Sequence, residues 1–188
     1  MKKTPLVIVS APSGAGKSSF CRRAVEEFSI LSEAVSYTTR AMRPGEQEGD
    51  PYHHVTKEEF LRLRSEDYFI EWAEVYGNFY GTPKVQVEQA KNDGKVLITD
   101  VDVQGAFSFK KLYPQGTYIF ILPPSVDELR RRLEKRDQGK TGNLEQRLQA
   151  AHKEIQLAVE FDFQIVNDDF DKAFAQFKKI IEDVIKNV

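Results

Sequence analysis

Residues 6–18 read LVIVSAPSGAGKS, a β-branched apolar run that enters a glycine-punctuated turn and ends on Gly16, Lys17 and Ser18, where a helix can begin. A turn of this kind aims successive backbone N–H groups at one place. The helix behind it adds the positive end of its dipole, so polyphosphate oxygens find donors that need no side chain. The cradle comprises Ser13, Gly14, Ala15, Gly16, Lys17, Ser18 and Ser19. Lys17 is expected to reach the β- and γ-phosphates of a bound nucleotide, and the Ser18 hydroxyl to hold Mg²⁺. Gly-Lys-Ser alone is a weak signal. The strand before it and the helical spacing of Phe20, Ala24, Val25 and Phe28 after it make it a nucleotide site rather than an ordinary strand–helix turn. Ala11 stands where the strict pattern has glycine, which alanine can replace only at negative φ.

Further groups suit the same chemistry. Asp100 closes the run Val96-Leu97-Ile98-Thr99, a placement that lets a strand-end carboxylate hold Mg²⁺ or its waters. Asp102 lies on the same side as Asp100 if the chain stays extended. Arg40 and Arg43 precede the turn Pro44-Gly45, and guanidinium forks suit bidentate phosphate recognition. Tyr52 and Tyr80 offer hydroxyls, and Glu71 follows the apolar pair Phe69-Ile70. Taken singly, these read as solvated arginines and packed tyrosines; their combination points to a site.

The elements that must position these groups follow from the hydrophobic pattern. Leu6–Ser10, Val96–Asp100, Tyr118–Leu122 and Ile165–Asn167 are predicted to be buried parallel strands alternating with helices, the rhythm of a doubly wound sheet whose ligands collect at the carboxyl ends of its strands. The segment from about Ser36 to Glu88 breaks that rhythm with turn-rich sequence, a helix at Lys57–Ser65 and extended pieces around Phe69–Trp72 and Asn78–Gly81, and it reads as an inserted subdomain. Ser125 to Arg147 is arginine-rich and interrupted by glycines, the pattern of a mobile flap. The last helix carries Phe170, Phe174, Phe177, Ile181, Val184 and Ile185 on one face, and its mixed charges favour core packing over a membrane surface.

Composition narrows the function. A chain of 188 residues is expected to form one domain. Charged residues make up 30% of it yet nearly cancel to −2, which argues against a general nucleic-acid or anionic-membrane binder. The apolar run Leu6–Val9 is too short for a signal peptide or membrane span, so the protein is expected in the cytoplasm. Cys21 cannot form an internal disulfide and is expected to pack in the helix after the loop. His53, His54 and His152 lack metal-ligand spacing.

With these residues in hand, the chain resembles the guanylate kinases nearly end to end. The motifs are SAPSGAGKSS, SYTTRAMRPGE, FIEWAEVYGNFYGT, ITDVDVQG, ILPPSVDELRRRL and IVNDD, in that order. The resemblance implies an α/β fold with a P-loop NTPase-type core, a mainly parallel sheet flanked by helices, an inserted nucleoside-monophosphate-binding subdomain and a lid. Residues 1–35, 89–124 and 148–188 would form the core, 36–88 the GMP-binding insert and 125–147 the lid. The implied reaction is MgATP + GMP ⇌ ADP + GDP, with dGMP a further acceptor, in guanine nucleotide biosynthesis and salvage. Ser36, Arg40, Arg43, Glu46, Tyr52 and Tyr80 would surround GMP, with Glu71, Thr82 and Asp102 facing the guanine. Arg132, Arg136 and Arg147 would surround the transferred phosphate, and Asn167 would lie near the ATP base and ribose. In the lid the run Asp137–Asn143 departs from the family, whose members carry acids there, and the second lid helix is expected to start at an Asn143 N-cap. Two other classes remain to be separated: a silent interaction module on the same fold, which lacks a working loop and lid, and a kinase for another monophosphate. A phosphoryl-transfer assay across acceptors distinguishes them.

Overall fold

The computed structural model describes residues 4–75, 77–136 and 144–187, without the side chains of Pro51 and Arg136. The chain runs β1 (Leu6–Ser10), α1 (Lys17–Glu27), β2 (Leu31–Glu33), β3 (Ser36–Thr38), β4 (Gln47–Glu48) and β5 (Pro51–His54). Next come α2 (Lys57–Ser65), β6 (Phe69–Val75), β7 (Asn78–Pro83), α3 (Val85–Asn92), β8 (Val96–Val101) and α4 (Val103–Leu112). β9 (Thr117–Leu122), α5 (Val126–Arg136), α6 (Leu144–Gln156), a 3₁₀ turn (Leu157–Glu160), β10 (Phe163–Val166) and α7 (Phe170–Lys186) complete it.

The first sheet has the order β10-β9-β1-β8-β2, with every pairing parallel. β1 is central and all five of its residues are buried, as a strand covered on both faces must be. Its side chains alternate between two cores. Val7 and Val9 meet Phe20 and Cys21 of α1 and Phe174, Phe177 and Ile181 of α7, while Leu6 and Ile8 meet Phe109 of α4 together with Tyr118 and Phe120. Phe20 sits edge-on to Phe170 at 4.9 Å and to Phe177 at 5.4 Å, so the apolar stripe of α7 is core, as its charge pattern predicts.

The second sheet, β4-β5-β3-β7-β6, is mixed. β3 pairs parallel with β5 and antiparallel with β7, and β6–β7 is an antiparallel pair with a register shift between Phe69 and Glu71. Its own small core stacks Phe60 of α2 on Phe69 at 4.6 Å and on Phe79 at 5.4 Å. Ile70 belongs instead to the main core beside Val101 and Val103, so β6 carries the second sheet against α4.

Two sequence expectations are corrected and one strand is added. β8 continues past Asp100 to Val101, because Val101 still pairs with Ser10 of β1. β10 is Phe163–Val166, leaving Asn167 just beyond the strand, where its backbone N–H donates to the Leu122 carbonyl at 2.8 Å. The edge strand β2 was not foreseen: three residues, Leu-Ser-Glu, are too few to show a period. The expected helix start at Asn143 and the run Asp137–Asn143 lie outside the described residues.

Candidate active site

The phosphate loop follows β1 directly. Gly14 and Gly16 take φ of +91° and +97°, a region closed to residues with a Cβ except under strain. Space is short at both: a Cβ on Gly14 would lie 2.9 Å from Leu133 Cδ2, and one on Gly16 would lie 3.0 Å from Asn167 Nδ2. The tight turn therefore lets α5 and the end of β10 pack on the loop itself. Asp67 is the only non-glycine among the described residues with positive φ, so Ala11 meets the condition its substitution requires. Gly16 caps α1 without a side-chain bond, which leaves the first N–H groups of that helix open to an anion.

Lys17, Ser18 and Asp100 form one cluster. Ser18 Oγ donates to Asp100 Oδ2 at 2.7 Å, and Lys17 Nζ lies 3.5 Å from the same oxygen. The parallel register of β1 and β8 sets Asp100 beside Val9, at the carboxyl edge where the loop begins.

Asn167 and Arg147 bind the loop from the other side, with Arg132 behind Asn167. Asn167 Nδ2 donates to the Ala15 carbonyl at 2.9 Å. Arg132 Nη2 donates to the Asn167 carbonyl at 3.0 Å, while its Nε holds Glu128 at 2.8 Å. Arg147 Nη2 reaches Ser13 Oγ at 2.8 Å. Arg132 lies on α5 and Arg147 on the next helix, α6; Arg147 reaches the loop directly, and Arg132 reaches it only through Asn167. Arg136 ends α5, and its side chain lies outside the described residues.

The second sheet gathers the remaining candidates into two groups. In the first, Thr82 Oγ1 donates to Glu71 Oε1 at 2.7 Å and lies 3.1 Å from Ser36 Oγ, a hydroxyl relay ending on a carboxylate that is 7% exposed. Burial, opposed by the Thr82 bond and reinforced by the Asp102 carboxylate, raises the Glu71 pKa to about 7. Asp102 caps α4, its Oδ1 accepting from Gly105 N–H at 2.7 Å. A Cβ on Gly105 would lie 2.9 Å from Glu71 Oε2 and 3.3 Å from Asp102 Oδ1, so this glycine admits both acids to one pocket. Asp100 and Asp102, expected on one side, therefore divide: Asp100 serves the loop, and Asp102 faces Glu71.

In the second group, Arg40 Nη2 is held by both Glu46 oxygens at 2.8 and 3.0 Å, and the Arg43 backbone N–H donates to Glu46 Oε2 at 2.8 Å. The Arg40 bond is the main reason the Glu46 carboxyl sits below its ordinary range. Arg40 Cζ lies 5.5 Å from the Tyr52 ring, which meets Tyr80 edge-on at 5.8 Å. The Tyr52 phenol is raised to about 12 by burial and then by Asp100, so it remains a donor. The Arg43 side chain is exposed.

Sequence reasoning missed four participants. Glu128, which braces Arg132, was legible as an i,i+4 pair. Gly105, and His54 with its Nδ1 2.9 Å from the Arg40 carbonyl, carried no sequence signal for their roles. Glu154 of α6, seven residues after Arg147, is raised to about 7 by burial and then by Asp102, with Lys17 opposing.

A phosphate cradle, a strand-end acid beside a lysine, and a second sheet bearing arginines and a buried carboxylate form a nucleotide kinase geometry. The guanylate kinase family model matches residues 2–184. The chain belongs to the guanylate kinase family. It is 49% identical over 183 residues to the guanylate kinase of Bdellovibrio bacteriovorus, covering 97% of this chain and 99% of that one. Against the guanylate kinase of Vibrio cholerae the identity is 47% over 183 residues, covering 96% of this chain and 88% of the relative. The crystal structure of guanylate kinase from Anaplasma phagocytophilum superposes with a TM-score of 0.78 at 36% identity, covering 97% of this chain and 86% of that one. The mainly parallel five-stranded sheet with flanking helices is thus the P-loop NTPase-type core of this family. Among the described residues no helix is long and apolar enough to cross a membrane.

Proposed function

We propose that this guanylate kinase family member transfers the γ-phosphoryl group of ATP to GMP, and to dGMP, giving ADP and GDP or dGDP for guanine nucleotide supply in the cytoplasm. The observation that carries the reading is the buried Glu71 carboxylate, oriented by Thr82 and adjoining Asp102. Guanine presents N1–H and N2–H₂ donors along one edge, which carboxylate oxygens accept; adenine presents a bare N1 there and is repelled. Ser36 and Thr82 complete that edge. Arg40, Arg43, Tyr52 and Tyr80 grip the acceptor phosphate, with Glu46 orienting Arg40.

Ser13 to Ser19 cradle the donor phosphates, Lys17 places its charge on the β- and γ-oxygens, and Asn167 braces the loop near the ATP base. Ser18 and Asp100 offer hard oxygen donors 2.7 Å apart, a set that fits Mg²⁺ with water completing its shell. Bound there, the ion would neutralise β- and γ-phosphate charge. The acceptor phosphate is largely dianionic at neutral pH, since its second pKa is about 6, so no side chain need remove a proton. Lys17, Arg40, Arg132, Arg136 and Arg147 then act by positioning and by stabilising charge on the transferring group. Residues 36–88 and 125–147 close on the core, and closure excludes water that could otherwise take the phosphoryl group.

The test is ADP release with MgATP over GMP, dGMP, AMP, UMP and CMP. GMP and dGMP should be turned over well above the rest. Equal rates with AMP or UMP would refute the assignment, and no turnover with any acceptor would favour a silent module.

A further inference from the structure

The chain passes between the main core and the second sheet at residues 34–36 and again at 84–86, and one side chain ties these two crossings together. At the first, Ala34 still belongs to the core, buried in the cluster that holds Val101 and with its N–H on the Ile98 carbonyl at 2.9 Å, while Ser36 already pairs with Tyr52 in the second sheet. Val35 lies between them, in neither strand. At the second, Lys84 is still held to the second sheet, its N–H donating to the Tyr68 carbonyl at 3.0 Å, whereas α3 starts at Val85 and packs into the main core through Val87 and Ala90. Gln86, in the first turn of α3, spans the gap with its amide. Its Oε1 accepts the Val35 N–H at 2.9 Å, and its Nε2 donates to the Val35 carbonyl at 2.7 Å.

The Val35 N–H lies in the peptide plane that follows Ala34 and its carbonyl in the plane that precedes Ser36, and each plane is rigid. Gripping both leaves Val35 little freedom in φ and ψ. Gln86 therefore sets the direction in which the chain enters β3, and with it the place of Ser36. Thr82 gives its one hydroxyl hydrogen to Glu71 Oε1 at 2.7 Å, so across the 3.1 Å contact between the two hydroxyls Ser36 is the donor. With that hydrogen committed, Ser36 offers only lone pairs to anything else, and lone pairs are what the N–H donors of guanine require. Thr82 stands four residues before Gln86 on the chain that leads from β7 into α3. Gln86 thus closes a short ring of covalent chain and hydrogen bonds around the Ser36–Thr82 contact.

We propose that Gln86 is a positioning residue for the guanine site: by clamping both backbone groups of Val35 it holds the Ser36 hydroxyl on Thr82 and keeps its acceptor lone pairs turned to the base. The proposal rests on the reading that Ser36, Thr82 and Glu71 face guanine. None of the four clamped atoms belongs to the phosphate loop, so the effect falls on GMP rather than on ATP.

Gln86→Met keeps the length of the side chain and removes both bonds. Gln86→Glu keeps an acceptor for the Val35 N–H but sets a carboxylate oxygen against the Val35 carbonyl. In steady-state assays at pH 8, KM for GMP should rise about five-fold in each, the worth of one net hydrogen bond, with KM for ATP unchanged and kcat within about two-fold of wild type. A lower unfolding temperature beside an unaltered KM for GMP shows a structural tie alone and overturns the proposal. The double variant Gln86→Met/Ser36→Ala tests the route. If Gln86 acts through Ser36, the double variant has the KM of Ser36→Ala alone, since no hydroxyl remains to be positioned; effects that multiply overturn the proposal. The single variant Ser36→Ala distinguishes the two layers: an unchanged KM for GMP means that guanine is not read at Ser36, and both fail. A raised KM there beside an unaltered KM in Gln86→Met refutes the clamp alone.

Discussion

Glu71→Gln should make this protein more stable and a worse kinase at once. Removing the carboxyl from water lifts its pKa from 4.5 to about 7, so between those values the native state binds a proton that the unfolded chain has lost. The acid's favourable contribution is therefore complete below about pH 4.5 and is lost as pH rises through about 7. At about 1.4 kcal/mol per pH unit, the difference amounts to about 3 kcal/mol by pH 8. Glutamine removes that titration. Its carbonyl can still accept from Thr82, and its amide can face the Asp102 oxygen that shares the Gly105 niche. Thermal unfolding of the variant should rise at pH 8 by about 5 °C or more and match wild type near pH 5, given that about 1 kcal/mol moves a domain of this size by about 2–4 °C. Toward guanine the exchange is adverse, because one neutral acceptor and two donors replace a charged acceptor. Loss of that charge-assisted contact should cost about 1.5–3 kcal/mol, or about 10- to 150-fold in kcat/KM for GMP, with ATP affinity little altered. Discrimination against AMP should narrow, because the new amide can donate to adenine N1. Stability curves at the two pH values and a coupled assay over GMP and AMP decide the matter. A variant that retains both its GMP efficiency and its GMP-over-AMP preference would show that guanine is read elsewhere, with Asp102 and Thr82 next to test.

Three further outcomes are expected. Lys17→Ala should fold normally, since the backbone turn around it is held by glycine conformation, and should lose nearly all phosphoryl transfer; wild-type turnover in the folded variant would contradict the donor-site assignment. Arg147→Ala removes the bond to Ser13 and should lower kcat by about two orders of magnitude while changing ATP affinity less, which steady-state kinetics and equilibrium binding can compare. Gly105→Ala puts a Cβ 2.9 Å from Glu71 Oε2, so KM for GMP should rise about ten-fold or more with KM for ATP unchanged; an unaffected KM would mean Glu71 need not stay where it is.

Local chemistry and periodicity were enough to read β1, the phosphate loop, α2 at Lys57–Ser65 and the amphipathic α7 from the sequence, because each is governed by contacts within a few residues. Residue type alone also marked Lys17, Ser18 and Asp100 as a set, and the spacing of charges distinguished the core stripe of α7 from a membrane surface. Pairing and partnership were not legible. The edge strand β2 exists because Leu31, Ser32 and Glu33 find Val96, Leu97 and Ile98 across the sheet, a contact that leaves no local period. Asp100 and Asp102 are two residues apart, and strand alternation put them on one side; the folded chain sends one to Lys17 and the other to Glu71, a division that residue spacing did not show and only the family resemblance implied. Whether Glu71 is an ordinary surface acid or a carboxyl raised to about 7 depends on Thr82, Asp102 and the niche at Gly105, which three separate elements bring together. Sequence carries the propensities of short segments and the identity of reactive groups, whereas pKa, burial and the division of labour among like residues are properties of long-range neighbours, and those exist only once the chain has folded.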